Sequence, residues 1–203
     1  MIAIIDYGMG NLASVRNAFL KLGYDVLTTS HPEEILRAEK VVLPGVGAFA
    51  DAILNIRQRG IDKTICELVE RETPLLGICL GLQLLFTESD ENGLHKGLGI
   101  IPGRVERFKL PSHYKVPQIG WNSIAVNPAS QLLEGISSGS YFYFVHSYYV
   151  VPEDEAVVAA RTEYGIDFVS AIEKGRIFAA QFHPEKSSQM GLKILKNFGG
   201  IRA

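Results

Sequence analysis

Cysteine is scarce in this chain of 203 residues: Cys66 and Cys79 are its only two. Two cysteines make no disulfide framework, and neither they nor the histidines show the spacing of a metal site. Charge of one sign is scarce as well. Twenty basic and 22 acidic residues leave a formal net charge of -2, so no basic excess points to nucleic acid, and there is no polybasic or acidic tail. The apolar runs are far too short to cross a bilayer. The N-terminus lacks the basic flank and cleavage site of a signal peptide. Repeats, low-complexity tracts and linkers are missing too. These absences predict a cytoplasmic, reduced protein without metal or cofactor, folded as a single domain over 1–203.

What is present suits a full hydrophobic core: 47% of the residues are hydrophobic. Short apolar runs predict strands over 2–6, 24–29, 41–43 and 75–78, and helical spacing predicts helices over 11–22, 48–57, 61–71 and 80–86. Strand and helix alternate, as in βαβ units. After about residue 100 strand-like runs dominate, at 104–108, 121–126, 141–150, 156–162, 168–172 and 177–181, before a closing helix over 187–198. The expected fold is α/β, with a mostly parallel central sheet flanked by helices and an antiparallel second half.

Three motifs carry chemistry. The first, Gly8-Met9-Gly10-Asn11-Leu12-Ala13, follows an apolar run and opens a helix. That is the outline of a dinucleotide-binding turn. Such a site wants an acid at the end of the second strand, where this chain has Thr28-Thr29-Ser30-His31. A tight β-to-α turn needs glycine in any case.

The second motif is Gly77-Ile78-Cys79-Leu80-Gly81, between a strand and a helix. It matches a nucleophile elbow with cysteine in place of serine. The turn is strained and crowded, so the residues two before and two after the nucleophile must lack bulk. The helix N-terminus favours the thiolate, and the Leu80 N–H faces the space where an oxyanion forms. Cys66, mid-helix beside Ile65, Leu68 and Val69, has no such setting and reads as structural.

The third is His183-Pro184-Glu185 after an apolar strand. In an extended segment the side chains at i and i+2 point the same way, so Glu185 can hold the His183 ring and leave its other nitrogen for Cys79. His31, His95 and His113 lie in polar or proline-flanked segments and suggest nothing further.

Together, G-I-C-L-G and F-H-P-E resemble the class I glutamine amidotransferases over the whole chain. The resemblance implies a flavodoxin-like fold and hydrolysis of glutamine through a thioester on Cys79, with His183 and Glu185 completing the triad. Val42-Leu43-Pro44-Gly45-Val46-Gly47 resembles the family's oxyanion loop, with Gly47 as the second donor beside Leu80. Gln83, Ser147 and Tyr148 look like glutamine contacts. Within the class, Asp6-Tyr7-Gly8-Met9-Gly10-Asn11-Leu12-Ala13-Ser14-Val15, Pro117-Gln118-Ile119-Gly120-Trp121-Asn122, Tyr143-Phe144-Val145-His146-Ser147-Tyr148 and Gln181-Phe182-His183-Pro184-Glu185-Lys186-Ser187 are similar to the glutaminase subunits of imidazole glycerol phosphate synthases.

That likeness implies a (βα)8-barrel cyclase as partner, ammonia passed to it, and a glutaminase that is nearly silent alone. Met9, Asn11 and Ser14 become partner contacts. Trp121, Tyr143 and Lys186 become candidates for the ammonia exit, with core filling an equal alternative for Trp121 and Tyr143. Rival readings are a glutaminase serving vitamin B6 or GMP synthesis, a cysteine peptidase on a similar fold, and a non-catalytic nucleotide-binding module built on the glycine turn.

Overall fold

The computed structural model describes residues 1–202. The chain runs β1 (Ile2–Ile5), α1 (Leu12–Lys21), β2 (Val26–Thr29), α2 (Pro32–Leu36), β3 (Lys40–Gly45), α3 (Phe49–Gln58), α4 (Ile61–Glu70), β4 (Leu75–Cys79) and α5 (Leu80–Leu84). The second half adds β5 (Phe86–Ser89), β6 (His95–Lys96), β7 (Ile101–Arg107), β8 (Gln118–Ser123), β9 (Ala125–Val126), β10 (Tyr141–His146), β11 (Tyr148–Pro152), β12 (Val158–Glu163), β13 (Asp167–Lys174) and β14 (Ile177–Ala180), and α6 (Ser188–Gly200) closes it.

The main sheet has the order β2-β1-β3-β4-β14-β13-β11-β7-β5-β6. From β2 to β14 all neighbours are parallel. β13, β11 and β7 then extend the sheet in antiparallel fashion. β8 and β10 stand apart as a two-stranded antiparallel ribbon.

The apolar runs form strands because both faces of the sheet are covered, the condition under which parallel strands lose their alternation. Successive side chains still leave opposite faces. Ala3 and Ile5 join one core with Phe49, Ile56 and Leu68 of α3 and α4, while Ile2 and Ile4 join the other with Phe19 of α1 and Leu195 and Phe198 of α6. Asn11 starts α1 by accepting the Ser14 N–H on its side chain at 3.3 Å.

Several boundaries differ from the sequence reading. The expected strand over 141–150 is two strands, broken at Ser147, where the chain leaves the ribbon and enters the main sheet. Both pieces are apolar and β-branched or aromatic, so the sequence carries no sign of the change of partner. The expected strand over 121–126 begins at Gln118 and is interrupted at Ile124. The unforeseen β5 and β6 are short strands that end the sheet, β5 paired between β7 and β6 and β6 at the edge. The unforeseen α2 is a five-residue helix with Pro32 in its first turn, where the missing N–H costs nothing.

Candidate active site

The carboxyl ends of four parallel strands converge on one point. β4 delivers Cys79, and its neighbours β3 and β14 deliver the 45–47 loop and the segment from Gln181 to Glu185. β1 delivers Tyr7, whose hydroxyl donates to the Pro44 carbonyl at 2.9 Å. Ligands in open α/β sheets bind at this end of the strands.

Cys79 sits at φ 54°, ψ -110°, a conformation that L residues adopt only when the surroundings enforce it. The enforcement is visible in its neighbours. A Cβ on Gly81 would lie 1.9 Å from the Leu43 carbonyl oxygen, and one on Gly77 would lie 2.9 Å from that of Gly81. The two glycines of the elbow are therefore required by backbone packing, as the motif predicts.

His183 Nδ1 lies 2.8 Å from Glu185 Oε1, and the two side chains are 2% and 1% exposed. The reason differs from the one expected. His183 itself is extended, but Pro184–Lys186 forms a turn of 3-10 helix that folds the carboxylate back onto the ring. Tyr143 accepts the His183 N–H at 2.9 Å, and Ser187 Oγ donates to the His183 carbonyl at 2.6 Å, so the backbone of the histidine is tied down on both sides. Burial lowers the His183 pKa, but the Cys79 sulfur and the Glu185 carboxylate outweigh it and raise the value to about 10. His183 Nε2 makes no hydrogen bond among the described residues.

A cavity of about 340 Å³ opens over the sulfur. Gly47, Cys79, Leu80, Gln83, Ser147, Tyr148 and His183 line it, so every residue expected at the reaction or at glutamine faces one space, with Glu185 behind the histidine. Among the described residues no cluster of His, Cys, Asp or Glu could hold a metal ion.

The model of the class-I glutamine amidotransferases matches residues 3–200. The chain belongs to this family. Among curated relatives it is 56% identical over 200 residues to the imidazole glycerol phosphate synthase subunit HisH of Moorella thermoacetica, with 98% of this chain and 94% of that one covered. It is 53% identical to the protein of the same name from Syntrophotalea carbinolica, covering 99% and 100%. A solved glutamine amidotransferase shares the fold with a TM-score of 0.76 at 22% identity, covering 98% of both chains. The PurLQS structure from Thermotoga maritima does so with a TM-score of 0.78 at 18% identity, covering 97% and 96%.

In this amidotransferase several residues of the site escaped the sequence reading. Gln181 is fully buried and donates from Nε2 to Cys79 Sγ at 3.7 Å. Its oxygen accepts from Gln83 Nε2 at 3.0 Å, and the same nitrogen donates to the Tyr148 carbonyl at 3.2 Å. Gln181 stands two residues before His183, on the side of the strand that faces Cys79, and period two along that strand was the available signal. Glu91 lines the cavity and accepts the Phe49 N–H at 2.7 Å, capping α3 from a distant loop. Nothing local in the sequence announces that contact. His146 is buried, with Nδ1 2.8 Å from the Tyr148 carbonyl and Nε2 3.0 Å from the Gln118 side chain. Burial pushes its pKa down to about 4.

The remaining expected residues sort by exposure. Met9 covers the 45–47 loop: a Cβ on Gly47 would meet its Cε at 2.6 Å. Asn11 and Ser14 occupy the first turn of α1. Trp121 is 51% exposed and so fills no core. It meets Tyr143 edge to face at 6.3 Å, Lys186 lies over the Tyr143 ring at 5.8 Å, and Tyr143 reaches the His183 ring at 6.5 Å. Those four side chains form one path from the surface of the ribbon to the histidine. Cys66 corrects its reading: it lies on the exposed face of α4 and not in the core.

Proposed function

We propose that this chain is the glutaminase subunit of an imidazole glycerol phosphate synthase, acting as one domain over its length. It hydrolyses glutamine to glutamate and delivers the ammonia to a cyclase subunit of histidine biosynthesis. The observation that carries the reading is the buried His183–Glu185 pair facing Cys79 in one cavity, in a chain half identical to proteins with that name.

The glutamine side-chain carbonyl lies over Cys79. Gln83, Ser147 and Tyr148 hold the amino-acid end, with Glu91 supplying the negative charge that an α-ammonium needs. His183 takes the thiol proton, the sulfur adds to the carbonyl carbon, and the tetrahedral oxyanion accepts the N–H groups of Leu80 and Gly47. Each such donor lowers the barrier by roughly 3 kcal/mol in comparable sites. The C–N bond breaks as His183 returns the proton to the leaving nitrogen, and ammonia departs. His183 then activates water, which cleaves the thioester and releases glutamate.

Ammonia picks up a proton in bulk water and stops being a nucleophile, so it has to travel inside protein. The cyclase, a (βα)8 barrel in this reading, takes it up and makes imidazole glycerol phosphate and an aminoimidazole carboxamide ribonucleotide, in the cytoplasm. The face that meets the cyclase combines Met9, Asn11 and Ser14 with Trp121, Tyr143 and Lys186. Gly47 is the regulated element. At φ +97° its peptide can turn at low cost only because it is glycine, and a turned N–H leaves the oxyanion hole incomplete until the partner is engaged.

Incubation of the chain with glutamine in the presence of the cyclase, followed by acid quench and mass spectrometry, tests the chemistry. A glutamyl adduct on the peptide containing Cys79, much reduced in Gly47→Val, is expected. An adduct on Cys66, or a Gly47→Val variant with undiminished thioester, would overturn the assignment of those residues.

A further inference from the structure

A chain of buried polar groups crosses the floor of the cavity, and its direction is fixed. The Tyr148 carbonyl accepts from Gln83 Nε2 at 3.2 Å and faces His146 Nδ1 at 2.8 Å. A carbonyl oxygen has two lone pairs and no hydrogen, so both neighbours have to donate to it. Gln83 therefore turns its nitrogen this way, and the second hydrogen of that nitrogen goes to Gln181 Oε1 at 3.0 Å. Gln181 then has only its NH2 group left to face Cys79 Sγ, 3.7 Å away. One main-chain carbonyl sets the polarity of the group that meets the sulfur. On the far side of the carbonyl, His146 Nε2 lies 3.0 Å from Gln118 Oε1.

We propose that Gln181 is a positioning residue for Cys79: its N–H, oriented through Gln83 by the Tyr148 carbonyl, holds the sulfur in place and stabilises its thiolate. The proposal rests on the reading of Cys79 as nucleophile. Two contacts on the sulfur divide the two protonation states between them. The thiol donates weakly to the Val145 carbonyl at 3.9 Å, a contact that disappears with the proton. When the S–H bond breaks, its proton passes to His183 Nε2 and the electron pair stays on sulfur. The Gln181 N–H then bonds to an anion, the stronger kind of hydrogen bond. Gln181 is fully buried and does not line the cavity, so it acts on the nucleophile without touching glutamine. The titratable groups around the sulfur are His183 and Glu185 beyond β14, Tyr7 beyond β1, His146 and Tyr148 at the break between β10 and β11, and Glu91 across the cavity. Gln181→Met leaves every one of these groups in place and adds no charge beside the sulfur.

The test uses the full chain with Cys66→Ser, which leaves Cys79 as the only thiol. Gln181→Met keeps the length and removes the donor. Gln181→Glu keeps an oxygen for Gln83 and, ionised at the alkaline pH of the measurement, offers the sulfur no N–H. Iodoacetamide alkylation of Cys79 is followed against pH, and glutamine turnover is measured in complex with the cyclase subunit. Both variants should move the alkylation midpoint up by about one pH unit, the equivalent of one charge-assisted hydrogen bond. They should lower kcat roughly tenfold while KM stays within about threefold. Alkylation curves and kcat equal to the parent's in both variants, with Cys79→Ala inactive, would overturn the proposal alone. Glutamine hydrolysis persisting in Cys79→Ala would overturn the reading of the nucleophile on which it rests.

Discussion

The parallel half of the sheet and the β8–β10 ribbon meet at His183, yet they hold their residues by different means. β1, β3, β4 and β14 are buried along their whole lengths, and the elbow at the end of β4 is clamped by backbone from β3. In the ribbon alternate residues face outward, with Ile119, Trp121 and Tyr141 at 63%, 51% and 59% exposed. The difference teaches where substitution acts. In the parallel half a side chain is placed by backbone that cannot move, so a single methyl group disturbs the chemistry. In the ribbon the backbone has room, and a side chain matters for what it meets outside.

The contrast can be tested at several points, and the largest effect is expected at Cys79. Replacing it with alanine should lower glutamate release by at least about 10⁴-fold while a thermal melt stays close to the parent's. A pair of glycines sharpens the comparison. Gly81→Ala drives a Cβ onto the Leu43 carbonyl at 1.9 Å and should cost roughly 4 kcal/mol in urea unfolding, among the largest values for a point substitution. Gly120→Ala in the ribbon has nothing within 4 Å of its Cβ, only φ +135° against it, and should cost about 1 kcal/mol.

His146, where the ribbon ends, has a pH signature. Its pKa is lowered in the fold to about 4 by burial, against an ordinary 6.5. Between those values the unfolded chain binds a proton that the folded chain refuses, so stability is fully present above about pH 6.5 and falls as pH drops toward 4. That one group accounts for about 3 kcal/mol of the acid loss. His146→Met should show a correspondingly shallower decline in denaturant midpoints between pH 7 and pH 4, and an unchanged decline would contradict the burial argument. The smallest effect on stability is expected at Trp121. Trp121→Ala should shift it by less than about 0.5 kcal/mol yet weaken cyclase binding about tenfold or more in titration calorimetry, since exposed aromatics carry interfaces.

The parallel half was the more legible part of the sequence. Short apolar runs and helical spacing encode the elements from β1 to α5 locally, α2 excepted, and the elbow motif marks Cys79, although only the crowding at Gly77 is local: Gly81 is demanded by the Leu43 carbonyl on β3. The His183–Glu185 pair was legible as a contact but not as a geometry: the spacing of two served a 3-10 turn and not an extended strand. The second half was harder to read. The break at Ser147, which turns a ribbon strand into a sheet strand, lies within an aromatic run that looks uniform. Gln181, Glu91 and His146 owe their places to partners 102, 42 and 28 residues away in the chain, a distance that no local pattern spans. Cys66 was misread because apolar neighbours in sequence are not neighbours on a helix face.

The central claim is that the triad on the parallel half waits for a partner on the ribbon side. The most direct test is glutamate release by the purified chain, first alone and then with a cyclase subunit of imidazole glycerol phosphate synthase and its ribulosyl nucleotide ligand. Slow or absent turnover alone, rising steeply with cyclase and ligand and vanishing in Cys79→Ala, is the predicted result. Cysteine-dependent hydrolysis that ignores the cyclase would contradict the claim.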